Sequence, residues 1–388
     1  MFTENSLVPA VILSTHLMGY GVIRSLGRMN VPIIAVYYEK KDMGYVSKYV
    51  KEKYFTPHAE YQEDAFIKAL IDINKSGTKY VLFPADDASL NAVSKNKKLL
   101  ENNYIVGCSD WDVTQKYIEK QYTYTIAEKL GINVPRTLQL NDVDDFTKLN
   151  LNFPVLVKPS KSHEYYNAFG KKMEVVNNYS ELESAYKKAK DNGHEVMIQE
   201  IILGPQENGI NYNSLIINKK IVLDFTAKKI RYTPTPYGVP CSAVSIEPIP
   251  ELKGIAEKIL NEMNFEGYSC IEFKKDERDG KYKLLEINGR FNRSIIHTVG
   301  AGLNFPWIYY NYLLNKKLLD VKQSYVKDLY WIDESHDPIM CLKLLKESSF
   351  SQLVNPYKGR HVYANFDVKD MKPFFKRITD LFNLLKQK

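Results

Sequence analysis

Between residues 8 and 108 short apolar runs alternate with stretches of helical period, and this alternation constrains the fold more than any other feature. VPAVILS (8–14) is a buried-type strand, followed by the turn THLMGYG, a helix through Val22–Met29 and a second strand, PIIAVYY (32–38). EDAFIKALIDINKSG is helical and stops at Gly77; KYVLFPAD is a strand, ASLNAVSKNKKLLENN a helix and YIVGC (104–108) a further strand. Strands alternating with helices of this length predict a parallel sheet joined by right-handed crossovers.

Composition narrows the class. The chain has 388 residues, and domains usually hold about 100–200, so two or three units are expected. Hydrophobic content of 44% with 26% charged residues is that of a globular protein, not a disordered one. No apolar run approaches the roughly 18–20 residues that cross a membrane. Leu7–Leu13 is short, follows Glu4 and reads as the first strand, not a signal peptide. Cys108, Cys241, Cys270 and Cys341 are scattered without CxxC spacing, which argues against a disulfide framework or a zinc site. A soluble, cytoplasmic protein is expected. The 53 lysines and arginines against 46 acids leave +7, gathered only near the C-terminal end (Lys372, Lys376, Arg377, Lys386, Lys388). That falls short of a nucleic-acid footprint and suits an anionic small molecule. The 28 tyrosines are spread along helices and strands and read as packing residues.

Further along, a long helix is predicted from Asp110, its N-cap, towards Gly131. From Phe153 the pattern becomes that of a small α+β module: PVLVKPS as a strand, SKSHEYYNAFGKK as a polar loop, MEVV as a strand, YSELESAYKKAKDNG as a helix ending at Gly193, and EVMIQEIIL as a strand. GINYNSLIIN and KIVLDFTAKKIR form a hairpin across Asn218–Lys219. PELKGIAEKILNEMN is a helix, and GYSCIEFKKD and KYKLLEINGR make a last hairpin across ERDG. After Leu319 the signals are mixed until a terminal amphipathic helix (Phe374, Phe375, Ile378, Leu381, Phe382, Leu385). There is no internal repeat.

The last hairpin is the most informative stretch. A turn centred on Asp279 sets Glu272 opposite Glu286, and alternation puts Glu286, Asn288 and Arg290 on one face. Leu285 and Ile287 then share the core face with Ile271 and Phe273. Directly opposed carboxylates destabilise a sheet unless a cation sits between them. Hard oxygen donors on rigid strands, with the Asn288 amide beside them, suit Mg²⁺. The other reading is a solvated outer face with a chance pair of glutamates. Elsewhere single residues say less. Lys158 ends an apolar strand and Lys120 lies within the long helix; either alone reads as solvated. In MIQEIILGPQE an extended backbone after Glu200 can meet an adenine edge while Glu207 accepts from ribose hydroxyls. THLMGYG has only Gly19 and Gly21, not the full dinucleotide fingerprint. Asp86–Asp87 is either a helix N-cap or part of a pocket. His163 and His297 are not in metal spacing, and no Ser–His–Asp or Cys–His arrangement is present.

In order, EK with Lys120, VLVKPS with Lys158, QEIILGPQE with Glu200 and Glu207, CIEF with Glu272, and EINGR with Glu286, Asn288 and Arg290 resemble the ATP-grasp ligases over roughly residues 8–315. The pattern is most similar to the carboxylate–amine ligase branch, of which D-aspartate ligase-like and biotin carboxylase-like enzymes are examples. The resemblance implies an α/β and α+β architecture. A Rossmann-like parallel-sheet domain (1–110) would precede an ATP-grasp domain (111–320) containing a small lid module at about 153–203, with a C-terminal extension at 321–388. ATP would lie between lid and C-terminal sheet. By position, Lys120 and Lys158 would contact phosphates, Glu200, Ile201, Ile202 and Leu203 would hold adenine, and Glu207 ribose. Glu272, Glu286 and Asn288 would hold Mg²⁺, with Mn²⁺ as the alternative ion. Arg290 would face the transferred phosphate, and AKKIRYTPTPYG would bring Lys229 and Arg231 to the phosphoryl group or the substrate carboxylate. Asp86 and Asp87 would border the carboxylate pocket. One departure is the lid loop Ser160–Lys172, which has only Gly170 where many relatives are glycine-rich.

The implied activity is ADP-forming ligation of a carboxylate to an amine through an acyl phosphate, with an amino acid on at least one side. Catalysis then rests on positioning and on cations that neutralise charge on the transferred phosphoryl group. Bicarbonate phosphorylation, as in a carboxylase, is the near rival, and a nucleotide-binding sensor without turnover is the reading from another class. The expected partners are small-molecule carboxylate and amine substrates, with neither nucleic acid nor membrane; a homodimer is left open.

Overall fold

The fold is that of a computed structural model, which describes residues 7–139, 145–159, 165, 168–170, 173–234, 238–345 and 348–386. His163, most of the lid loop 160–172 and Thr235–Tyr237 of the basic segment lie outside the described residues.

The first hundred residues build a parallel sheet. It is formed by β1 (Ala10–Leu13), α1 (Leu17–Gly27), β2 (Ile33–Tyr37), β3 (Val50–Phe55), α2 (Glu63–Ile73), β4 (Tyr80–Pro84), α3 (Asp87–Lys95), α4 (Lys97–Leu100) and β5 (Tyr104–Val106), with strand order β3-β2-β1-β4-β5. Central β1 sets Ile12 against Ala35 on one side and Phe83 on the other, both in parallel register. Strands covered on both faces are apolar throughout, which is why β1, β2 and β4 were legible. β3 was not, because its VKEKYF sequence is mostly exposed and charged, as suits an edge. The chain leaves β1 for β2 on one side and reaches β4 on the other. The carboxyl ends of β1 and β4 therefore flank a topological switch point, where doubly wound sheets bind small molecules.

α1 starts earlier than its apolar period suggested, because His16 caps it: Nδ1 accepts from the Met18 amide at 3.3 Å. Gly19 and Gly21 lie inside this helix and have packing roles. A Cβ on Gly19 would stand 1.9 Å from the Ser14 carbonyl oxygen, and one on Gly21 would stand 2.5 Å from Ile295 Cγ2.

The long helix expected from Asp110 is two helices, α5 (Trp111–Ile118) and α6 (Lys120–Lys129). Glu119 breaks it with extended ψ of 104°, and the Thr123 hydroxyl takes up the exposed Lys116 carbonyl at 2.9 Å. The break places Lys120 at the head of α6 instead of mid-helix.

The small α+β module follows. β6 (Thr137–Gln139), β7 (Val155–Pro159), β8 (Glu174–Val176), α7 (Tyr179–Asp191) and β9 (Val196–Glu200) form an antiparallel sheet, order β6-β9-β7-β8, with one covering helix. Its own core is Val155, Val157, Tyr165, Leu182, Ala185 and Ile198. Asn178 caps α7 by accepting from the Glu181 amide at 2.9 Å.

The remaining elements are β10 (Gly209–Ile217), β11 (Lys220–Thr233), β12 (Val239–Ser245), α8 (Pro250–Glu262), β13 (Gly267–Lys275), β14 (Tyr282–Asn288), α9 (Ile295–Gly300), α10 (Phe305–Asn315), β15 (Tyr330–Ile332), α11 (Asp337–Lys343), α12 (Phe350–Lys358), β16 (His361–Tyr363) and α13 (Lys372–Lys386). Their sheet has the order β14-β13-β10-β11-β12-β15-β16. The β10–β11 turn falls at Asn218–Lys219 as predicted, with φ of 50° and 65°, the left-handed pair of a tight hairpin. On β14, Ile287 is buried as expected. Leu285 is only half-buried, while Leu284 on the other face is fully buried, because the chain at Asn133 hydrogen-bonds to the Leu284 amide at 2.8 Å and covers that end.

Two compact units result. The first joins Met1–Leu130, Pro205–Phe273 and Glu286–Lys388; the second joins Gly131–Gly204 with Lys274–Leu285. The first unit has one continuous core, in which Ile12, Phe83, Phe225, Tyr268 and Trp331 come from both of its sheets. Its last residues strap back over α1. The Glu334 carboxylate accepts the amides of Ala364 (3.1 Å) and Asn365 (2.9 Å), and Arg24 donates to the carbonyls of Tyr363 (3.2 Å) and Ala364 (3.0 Å). Asp367 pairs with Arg28 at 2.7 Å. Asp370 accepts from the Tyr20 hydroxyl (3.3 Å) and the Lys48 amide (2.9 Å).

Candidate active site

In the first unit, ionisable side chains gather where the ends of β1 and β4 meet residues on and after β14. Asp86 caps α3, accepting from the Ser89 amide at 2.9 Å, and also receives the Tyr38 hydroxyl at 2.5 Å. Asp87 turns the other way and takes Arg290 in a two-point pair, Nε to Oδ1 at 2.8 Å and Nη2 to Oδ2 at 2.9 Å. The N-cap reading of this dipeptide therefore holds for Asp86. Burial would push the Asp87 carboxyl up, but the Arg290 charge and hydrogen bonds hold it below the usual range. Burial likewise works against the charge on Arg290, and Asp87 outweighs it.

A second layer of charge lies on β11, β13, β14 and α6. Lys229 is buried and donates to the Glu272 carboxylate. Burial alone would raise Glu272 and lower Lys229, but each holds the other charged. Lys120 stands 3.9 Å from Glu286, which is the main reason its ammonium is favoured; Asp87 and Glu272 add to the effect. Glu272, Glu286, Lys120, Lys229 and Arg290 therefore share one electrostatic neighbourhood, as the sequence order anticipated. Asn288 is buried at the end of β14.

Arg231 has a different partner from the one expected. Its Nε and Nη2 lie 2.8 and 2.6 Å from the two oxygens of Asp337, which also accepts the Tyr357 hydroxyl at 2.7 Å. A bulge between Lys229 and Arg231 in the β11–β12 register separates the two residues, so that only Lys229 reaches Glu272. Glu207 is exposed on a single 3-10 turn, Gln206–Asn208.

Within the second unit, Lys158 at the end of β7 donates to Gln199 Oε1 at 2.7 Å, and Gln199 passes a hydrogen bond to Thr137 Oγ1 at 3.0 Å. The Glu200 side chain, expected near adenine, instead receives Arg278 Nη1 at 2.5 Å and the Arg136 amide at 3.2 Å. Ile201 and Ile202 are buried, Leu203 is exposed, and the Leu203 carbonyl accepts the Glu277 amide at 3.3 Å.

Sequence reasoning missed four members of the first-unit cluster. His16 ends the turn after β1, with Asp86, Arg293, Arg290 and Asp87 as its charged neighbours; burial first, then the two arginines, hold its imidazole down to about 4 against the pull of the aspartates. Asp333 is buried after β15 and takes Arg293 Nη2 at 2.7 Å and His336 Nδ1 at 2.9 Å. The signal was available in Asp333–Asp337, where four of five residues are ionisable directly after an apolar strand.

Among the described residues no group of three or more His, Cys, Asp or Glu side chains could hold a metal ion by itself. Glu272 and Glu286 share a cationic neighbour in Lys120, and with the Asn288 amide they supply three hard oxygen groups. This fits Mg²⁺ of the kind whose remaining positions are filled by phosphate oxygens and water. No helix among the described residues is long and apolar enough to cross a membrane.

The chain is similar to several known proteins. A family described as "ATP-grasp in the biosynthetic pathway with Ter operon" matches residues 239–334. D-aspartate ligase of Enterococcus faecium (strain Aus0004) is 24% identical over 319 residues, 78% of this chain and 75% of that protein. An L-amino acid ligase from Bacillus licheniformis superposes with a TM-score of 0.62 at 15% identity, covering 82% of this chain and 77% of that one. The biotin carboxylase domain of Hydrogenobacter thermophilus 2-oxoglutarate carboxylase, solved with MgADP and bicarbonate, superposes with a TM-score of 0.63 at 15% identity, covering 84% and 74%. Residues 239–334 thus match an ATP-grasp family, and the chain has the ATP-grasp fold.

Proposed function

We propose that this protein is an ATP-dependent, ADP-forming ligase that joins a carboxylate to an amine, with an amino acid as one substrate. The observation that carries the reading is the shared neighbourhood of Glu272, Glu286, Lys120, Lys229 and Arg290 in the first unit. Such a site concentrates positive charge, which matches phosphoryl transfer to a bound carboxylate. The relatedness to a D-aspartate ligase over three quarters of its length supports the amino-acid choice.

In the reaction, an oxygen of the substrate carboxylate attacks the γ-phosphorus of ATP, and the bond to the β-phosphate oxygen breaks to release ADP. The amine then attacks the acyl carbon, the carbon–oxygen bond to phosphate breaks, and the amine proton leaves to solvent. Lys120, Lys158 and Lys229 are assigned to phosphate oxygens, Arg290 to the transferred phosphoryl group, Glu200–Leu203 to adenine and Glu207 to ribose. Glu272, Glu286 and Asn288 would hold Mg²⁺, which when bound neutralises phosphate charge. Arg290 reaches the phosphoryl group by exchanging its two-point pair with Asp87 for phosphate oxygens. His16 stays neutral near pH 7, so it can donate one hydrogen bond to a carboxylate without adding charge.

The test is ADP release and hydroxamate formation with hydroxylamine, ATP and Mg²⁺ over a panel of amino and hydroxy acids. Acid-dependent hydroxamate with stoichiometric ADP is expected. AMP and pyrophosphate would refute the γ-phosphate route, and turnover on bicarbonate alone would make the protein a carboxylase.

A further inference from the structure

We propose that the turn Asp367–Asp370 and the head of α13 form a docking face for an anionic lipid surface, a peripheral contact and not a membrane span. Among the described residues sixteen large hydrophobic side chains are exposed, and eight of them lie after residue 320. Residues 321–388, under a fifth of the chain, thus hold half of these groups. Scattered apolar residues on a surface need no explanation, but a concentration of them marks an interaction site. At this turn the structure also fixes which way each residue faces. Asp367 points inward to Arg28 at 2.7 Å and Arg24 at 3.4 Å, and Asp370 points inward to the Tyr20 hydroxyl and the Lys48 amide. The Asp370 amide closes the turn on the Asp367 carbonyl at 2.8 Å, and the Lys369 amide donates to the Asp367 carboxylate at 3.0 Å.

With both acids held inside, what faces outward is apolar and basic. Val368 is 73% exposed, Met371 40% and Phe375 55%. The Phe375 amide donates to the Met371 carbonyl at 3.2 Å, so these two side chains leave the same side of the chain one helical turn apart. Lys369 and Lys372 flank them, and the bond from the Lys48 amide to Asp370 brings in a third lysine. All three lysines are exposed and form no ion pair among the described residues. Lys376, further along α13, is neutralised by Asp380 at 2.8 Å. The sequence hides this charge, because DVKDMK counts two acids against two lysines. An apolar tip rimmed by lysines fits a bilayer with anionic headgroups: the tip enters the acyl boundary while the ammonium groups meet lipid phosphates. Valine and methionine have no stacking face to offer a nucleic acid. A second copy docked through the same face would set lysine against lysine.

The experiment is sedimentation of the full chain with sucrose-loaded vesicles of phosphatidylcholine alone, or of phosphatidylcholine mixed equally with phosphatidylglycerol. Binding to the anionic vesicles is expected to be at least about tenfold tighter than to the neutral ones, and to weaken as salt is added. Lys369→Glu with Lys372→Glu should lower it at least about 25-fold, since one lysine near an anionic surface is worth about fivefold. Val368→Asp with Phe375→Ser should abolish binding at an unchanged melting temperature; if that pair lowers the melting temperature, Val368→Asp alone, at the more exposed position, carries the test. Phe375→Trp should shift tryptophan emission to the blue on anionic vesicles, which reads entry of the ring into the bilayer. No sedimentation with anionic vesicles overturns the proposal, and so does equal sedimentation with both kinds. Binding that survives the loss of the apolar tip, or that brings no blue shift, is plain attraction to a polyanion and overturns it too. Tighter binding to poly(U) RNA than to the anionic vesicles has the same meaning. The ligase reading stands or falls separately, because its test needs no lipid.

Discussion

Replacing Asp337 offers the sharpest test of how buried charge is managed in this fold. Its carboxylate is fully buried and accepts Arg231 Nε at 2.8 Å, Arg231 Nη2 at 2.6 Å and the Tyr357 hydroxyl at 2.7 Å. In Asp337→Asn the charge is lost and one oxygen becomes an amide nitrogen that must face a guanidinium N–H. Arg231, itself 4% exposed, is then a buried cation without a counter-charge. Removing one partner of such a pair costs about 3–5 kcal/mol, whereas replacing both with apolar groups of similar volume is often neutral or stabilising. The double variant Arg231→Met/Asp337→Leu should therefore be about 3 kcal/mol more stable than Asp337→Asn. Urea unfolding followed by tryptophan fluorescence suits the measurement, because Trp331 is buried on the neighbouring strand β15. The reasoning fails if Asp337→Asn lies within about 0.5 kcal/mol of the parent, the range of ordinary surface substitutions. It fails equally if the double variant is as unstable as the two single losses added. The same double variant reports on function: a stable protein that no longer forms hydroxamate would return Arg231 to the phosphoryl group.

Glu286→Gln should keep the circular dichroism of the parent and lose about 10²–10³ in rate, the usual effect of removing one electrostatic contact in a transition state; near-parental rates at limiting Mg²⁺ would refute its metal role. Lys158→Ala should weaken ATP binding in a direct titration while changing stability by no more than about 0.5 kcal/mol, and unchanged affinity would mark Lys158 as a structural partner of Gln199. His297 is buried, its Nε2 lies 2.7 Å from the Leu329 carbonyl, and burial holds its imidazole down to about 4. As pH falls below 6.5 the unfolded chain gains a proton that the folded chain refuses until near pH 4, so this residue should cost about 1.4 kcal/mol of stability per pH unit in that window. His297→Asn should flatten the dependence by that amount in urea unfolding at pH 6.5, 5.5 and 4.5; an identical slope would dismiss the assignment.

The sequence made the parallel sheet legible where both faces of a strand are covered, as in β1 and β4, because continuous apolar runs have few alternatives. It was silent on β3, whose exposed edge needs charge. The hairpin residues Glu272, Glu286 and Asn288 could be read because strand alternation fixes which side chains share a face. His16, Arg293 and Asp333 could not, because their proximity depends on a loop after β14 meeting the ends of two strands from the opposite end of the chain. Lys120 shows the same limit: periodicity gave one long helix, and the Glu119 break that turns Lys120 towards Glu286 comes from a single backbone angle. Arg231 pairs with Asp337, a partner 106 residues away that no local pattern names.

The strap formed by Asp367 and Asp370 bears on the order in which the chain can fold. Tyr20 on α1 finds the Asp370 carboxylate 350 residues later. At synthesis rates of about 5–20 residues per second, roughly 20–70 s separate the emergence of these two groups. The first sheet can collapse early, yet Arg24 and Tyr20 must stay hydrated until the last turns of the chain arrive, because burying them alone would leave a charge and a hydroxyl unmatched. Completion of the first unit therefore waits for residues 367–370, and nascent chains stalled before residue 367 should remain open to proteolysis along α1.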